Sequence, residues 1–124
     1  MATIKAYTDL EQSKKLAEIL SLDSADMVYI ATADDYIGDT LYTAEIKSEI
    51  YISEDDAERI INCWSLAALL DILKDKITFG GNSPEGWFCC YTVKNPTKTL
   101  TIYRDSLVDA CCEVILKLHD LKLL

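Results

Sequence analysis

Trp87-Phe88-Cys89-Cys90-Tyr91-Thr92-Val93, followed across residues 94–98 by Thr99-Leu100-Thr101-Ile102-Tyr103, decides the fold class of this chain. Both runs are rich in aromatic and β-branched side chains, which suit a pleated, half-buried surface. The spacer between them contains Pro96 and is turn-sized, so the pair predicts an antiparallel hairpin whose first strand carries Phe88 and Cys90 on one side. Directly downstream, Ser106 with Asp109 three positions on is a near relative of the capping box, and Leu107, Cys111, Val114, Leu118 and Leu121 fall on one helical face. Glu113 and Lys117 lie i, i+4 on the outer side of that helix. Upstream of the hairpin, Gly80, Gly81 and Gly86 with Asn82 and Pro84 read as a loop. Before that loop, Ser65 caps a helix in which Leu66, Leu69, Leu70 and Leu73 repeat at i, i+3, i+4, i+7 to near Asp75, with Trp64 packed at its start.

The N-terminal half adds a helix and two strands. Thr8 followed by Glu11 has the spacing of a capping box, and Leu10, Ser13, Ala17 and Leu20 recur behind it, which predicts a helix over residues 9–20. The apolar run 27–31, with Val28, Tyr29 and Ile30, reads as a short strand ending at the Asp34-Asp35 turn. Over residues 43–52, Ile46, Ser48, Ile50 and Ile52 alternate with Glu45, Lys47, Glu49 and Tyr51, a period of two that turns the isoleucines inward. Ser53 before Glu54, Asp55 and Asp56 suits the start of a short helix to about Ile60, with loop as the alternative. The order of these elements predicts a single α+β domain over residues 1–124, with about three helices packed on a mainly antiparallel sheet of about four strands.

Charge is distributed unevenly. The chain has 21 acidic and 12 basic residues, a formal charge of −9, and eleven of the acids fall between Asp23 and Glu58 against one base, Lys47. A basic face is what releases counterions from a phosphate backbone, so direct binding of nucleic acid is not expected. No apolar run approaches the roughly 18 residues of a membrane helix and the first ten residues lack a signal-peptide core, so the chain reads as soluble, cytoplasmic and without membrane contact. The five cysteines, an odd number that includes the adjacent pairs Cys89-Cys90 and Cys111-Cys112, read as reduced and mostly buried small apolar residues.

Several blocks also carry a resemblance. Glu11-Gln12-Ser13-Lys14-Lys15-Leu16-Ala17-Glu18-Ile19-Leu20, Ser24-Ala25-Asp26-Met27, Trp64-Ser65-Leu66-Ala67-Ala68-Leu69-Leu70, Asp109-Ala110-Cys111 and residues 117–124 resemble a small protein family encoded by gut anaerobic bacteria and their phages or mobile elements. The resemblance implies a compact accessory protein and carries over no functional residue. It departs from the family over residues 57–63, where a proline-containing approach to Trp64 is expected.

Motifs of catalysis are weak. Zinc needs four cysteine or histidine ligands in spaced pairs, whereas this chain has no Cys-x-x-Cys and only His119. Cys112 and His119 share a helical face, but seven residues separate them by about 10 Å along the axis, beyond a hydrogen bond. There is no Gly-x-Ser-x-Gly elbow, and the glycine-rich stretch lacks the lysine of a phosphate-binding loop. The acids remain. Asp34, Asp35, Asp39, Glu54, Asp55, Asp56 and Glu58 form the candidate protein-binding face, set against the commonest meaning of a charge run, a solvated surface. The expected function is a non-enzymatic accessory protein that meets a basic protein through these acids, imitating nucleic-acid charge, with no catalytic residue, metal or cofactor. Two alternatives stand beside it: a metal-dependent hydrolase built on the same carboxylates, and a structural homodimer joined through a sheet edge near Trp87 or Tyr103.

Overall fold

The computed structural model describes residues 5–33, 40–50, 60–74, 77–93 and 98–122. Its elements run α1 (Leu10–Ala17), β1 (Met27–Ala33), β2 (Thr40–Ile46), β3 (Ile60–Cys63), α2 (Leu66–Leu73), β4 (Ile77–Ser83), β5 (Gly86–Val93), β6 (Lys98–Arg104) and α3 (Leu107–Asp120). Among the described residues the fold is α+β with three α-helices, but the strands form two antiparallel sheets of three, ordered β2-β1-β3 and β4-β5-β6. The single sheet of about four strands is therefore corrected. Two strands are hard to see in sequence for separate reasons. β3 has only four residues, too few for alternation to register. β4 includes Gly80 and Gly81, where the glycines predict a loop.

Those glycines mark close approach. A Cβ on Gly81 would sit 2.7 Å from the Trp87 ring, and one on Gly80 would sit 2.9 Å from the Phe88 ring, so aromatic side chains of β5 lie directly over the β4 backbone. The connection between the two strands shrinks to Pro84 and Glu85. Gly86 then needs its own residue type, because its φ of +104° and an Arg104 carbonyl 2.6 Å from where a Cβ would be both exclude a side chain.

α3 is the spine. It packs on β5 and β6 on one side and on α2 and α1 on others, and Leu107, Val108, Ala110, Cys111, Cys112, Val114, Ile115 and Leu118 are all buried. The predicted stripe of Leu107, Cys111, Val114 and Leu118 is present, but the buried arc is wider, as expected of a helix covered on several faces. Leu121, placed on the stripe from sequence, lies one residue past the helix and is 58% exposed. From β5, Cys89 and Tyr91 face this core, joined by Ile102 of β6, while Phe88 and Cys90 stay half-buried on the opposite side.

The remaining boundaries follow from local bonding. Asp9, not Thr8, caps α1: its carboxylate accepts the Gln12 N–H at 2.8 Å, and the Gln12 side chain accepts the Asp9 N–H at 3.1 Å. Ser65 and Ser106 cap α2 and α3 as their sequence positions predict, accepting from the backbone of Ala68 and Asp109. The strand expected over 43–52 begins earlier and stops at Ile46, where a turn of 3₁₀ helix over Lys47–Glu49 takes over. Ile46 is 45% exposed and Ile50 lies past the strand, so the inward isoleucine row does not form over these two; Ile52 lies outside the described residues. The helix expected from Glu54 falls outside the described residues except for its last position, Ile60, which is a strand residue paired with Ile30.

Candidate functional site

The acids singled out in sequence, Asp34, Asp35, Asp39, Glu54, Asp55, Asp56 and Glu58, lie outside the described residues. The residues that bracket them do not. β1 and β2 close at the pair Ala33 and Thr40, and β3 begins at Ile60 opposite Ile30. Ile30 is the midpoint of β1, three positions or about 10 Å from Ala33, so the chain leaves β1 at Ala33 and returns at Thr40 at one end of the sheet, whereas β3 begins midway along it. Asp34 and Asp39 are covalent neighbours of Ala33 and Thr40, and Glu58 is two residues from Ile60. Lys47, the lone base of the acidic stretch, is engaged at the other end: its ammonium donates to the Leu22 carbonyl at 3.1 Å. Burial holds Lys47 below the ordinary lysine range, with Asp23 and Asp26 pulling the other way. Asp26 has an internal task, since its carboxylate accepts both the N–H and the hydroxyl of Ser65 and ties β1 to the start of α2.

Two polar clusters have no signal in sequence. The first is buried around Thr8, which is fully enclosed. Its hydroxyl accepts the Trp64 N–H at 3.1 Å and shares a 2.8 Å hydrogen bond with Ser13, while its carbonyl accepts the Tyr29 hydroxyl at 2.7 Å and the Cys63 thiol at 3.3 Å. Among the described residues no buried side-chain polar atom lacks a partner. The second cluster gathers Lys5, Asp9, Gln12 and Asp109, the last 104 positions from Lys5: the ammonium lies 2.7 Å from Asp109, 2.9 Å from Gln12 and 3.1 Å from Asp9. Burial alone would raise the Asp109 pKa, but Lys5, Gln12 and Ser106 hold it below the ordinary carboxylate range. Burial would likewise lower Lys5, and its bonds to Asp109 and Asp9 outweigh it and hold the ammonium above the usual range. An open depression of about 350 Å³ lies beside this cluster, lined by Lys5, Ala6, Tyr7, Asp9 and Tyr29.

The thiols are placed for packing. Cys63, Cys89, Cys111 and Cys112 are free and buried, and Cys90 is half-buried. Burial raises the Cys63 thiol and pushes Cys112 up to about 12. Cys111 is held well above the ordinary range, first by its hydrogen bond with Cys89 and then by burial. These three thiols stay protonated near neutrality and are poor nucleophiles, whereas the hydrogen bond with Cys111 lowers Cys89 against the effect of its burial. His119 is exposed in the last turn of α3, whereas Cys112 faces the core, so the two do not meet. Among the described residues no group of three or more His, Cys, Asp or Glu is placed to hold a metal ion, and no helix is long and apolar enough to cross a membrane.

The second sheet has one face packed on α3 and one turned outward. Thr78, Thr99, Thr101 and Tyr103 are exposed on the outward face, with Phe88 beside Tyr103 at a ring-centroid distance of 5.9 Å. Among the described residues the fold is thus α+β, with two three-stranded sheets, the second of them packed on the buried helix α3. Comparison with protein-family models, curated proteins and solved structures gives no match.

Proposed function

We propose that this protein acts by contact with another protein and not by catalysis, its acid-rich end meeting a basic partner. What supports the reading is the charge written in the chain, eleven acids against one base between Asp23 and Glu58, together with the closing of β1 and β2 at Ala33 and Thr40, the covalent neighbours of Asp34 and Asp39. Glu54, Asp55 and Asp56 belong to the same nine-residue connection, 51–59, as Glu58. Carboxylates that outnumber their bases, with Lys47 engaged at the Leu22 carbonyl and Arg59 the one base in the connection 51–59, create a local negative potential that steers a cationic surface and imitates the charge of a nucleic-acid backbone.

Capture from a host lysate at low and high salt tests it, comparing the native protein with the combined variant Asp34→Asn, Asp35→Asn, Asp55→Asn and Asp56→Asn. The expected result is a basic protein retained at low salt by the native chain, released as screening shortens the reach of the charges, and not retained by the variant. Equal retention by both, or none by either, would return the acids to a solubilising role. Stabilisation of the native chain alone by a divalent cation would favour the metal-hydrolase alternative.

A further inference from the structure

β6 is the last strand in the order β4-β5-β6, and among the described residues no strand pairs with its outer edge. The opposite edge strand, β4, is irregular: its register with β5 shifts between Gly80 and Ser83, a feature that blunts an edge against further pairing. β6 has no such protection. It pairs with β5 from Lys98 to Arg104 without a shift and contains neither proline nor glycine, and no charge lies between its two ends. A regular edge of this kind presents a row of unpaired N–H and C=O groups, and the chemistry that satisfies them is another extended strand.

The side chains indicate which strand. Thr99-Leu100-Thr101-Ile102-Tyr103 has the same order of hydroxyl and aliphatic groups read in either direction about Thr101. An antiparallel partner with the same sequence, centred on Thr101, sets Thr101 against itself, Leu100 against Ile102 and Thr99 against Tyr103. Aliphatic groups then meet on the face that packs toward α3, where Ile102 is buried, and hydroxyl groups meet on the outward face, where Thr99, Thr101 and Tyr103 are exposed. On a chain of net charge −9, the ends of this strand are basic, Lys98 and Arg104, so the edge lies outside the chain's excess of negative charge. The register sets Lys98 of one copy opposite Arg104 of the other, a like-charge pair that costs stability at each end of the seam and that Glu113, 3.8 Å from Arg104, partly offsets.

We propose that β6 is a homodimer interface, in which two copies pair antiparallel across a twofold axis at Thr101 and join their second sheets into one. This is independent of the acid-rich end, which belongs to the other sheet.

Sedimentation velocity of the full chain over a concentration series, with Thr101→Lys alongside, tests the proposal. The native chain is expected to dimerise, and Thr101→Lys, which sets two ammonium groups against each other at the axis, is expected to weaken the dimer by about tenfold or more. A native chain that stays monomeric throughout, or a dimer unchanged in a folded Thr101→Lys, would overturn it. Should circular dichroism show that Thr101→Lys does not fold, cross-linking decides. Residues directly opposite in an antiparallel pair have Cα atoms about 4.5–5.5 Å apart, within disulfide reach. Cys90, which pairs with Thr101 on β5, is first changed to Ser so that it cannot compete. In that background, Thr101→Cys with glutathione disulfide as oxidant forms one intermolecular disulfide, reducing one glutathione disulfide to two glutathione thiols. Thr78→Cys, on β4, serves as the control. A covalent dimer from the Thr101 variant alone supports the interface; its absence, or equal cross-linking of the control, overturns it.

Discussion

Thr8 shows how much one side chain can organise when it is fully enclosed. It lies one residue before the α1 cap, yet it joins the N-terminal segment to β1 through Tyr29, to β3 through Cys63, and to Trp64 just before α2. Replacing it with valine keeps the shape but removes the hydroxyl, leaving the Trp64 N–H and the Ser13 hydroxyl without their partner in a dry site. Thr8→Val is expected to cost about 2 kcal/mol, read as a lower urea midpoint at an unchanged slope. Ser13→Ala removes one bond of the same network at its margin and is expected to cost less. Sequence spacing pointed to Thr8 as a cap because Thr-x-x-Glu is a capping pattern. Asp9-x-x-Gln12 is an equally good pattern one position later, and burial of Thr8 against β3 decides between them.

Among the elements, the two C-terminal helices were the most legible and β4 the least. α2 and α3 each combine a serine cap with an apolar repeat, and both signals are local, so their starts fall where the sequence puts them. In β4 the local signal is misleading, because glycine marks loops in most contexts and here makes room for Trp87 and Phe88. The same hairpin supplies a prediction. Gly86→Ala forces a Cβ toward the Arg104 carbonyl at a positive φ, and the expected loss is about 1–3 kcal/mol in denaturant unfolding. An alanine there that left stability unchanged would mean that the turn had rearranged and that β4 and β6 were no longer held by β5 in this register.

Across the whole molecule, α3 joins both halves by contacts to all three strands of the second sheet and to the other two helices. Its cysteines report on that enclosure. A thiol reagent applied to the native protein is expected to label Cys90 and to reach Cys63, Cys89, Cys111 and Cys112 only on unfolding, giving a native count well below the five thiols of the denatured chain. Rapid native labelling of all five would mean that α3 is not the buried spine. The fold class, the three helices, the hairpin of β5 and β6, and the buried character of most cysteines were determined by sequence alone, because periodicity, caps and turn residues act over a few positions. The division into two sheets, the reach of Lys5 to Asp109 and the gathering of bonds on Thr8 were decided only by tertiary structure. Each of these joins groups brought together by packing across tens of residues, and no local spacing rule encodes such a contact. The acid-rich stretch shows the same limit: its charge is written in the chain, but the return of Thr40 beside Ala33 and of Ile60 beside Ile30 depends on strand pairing.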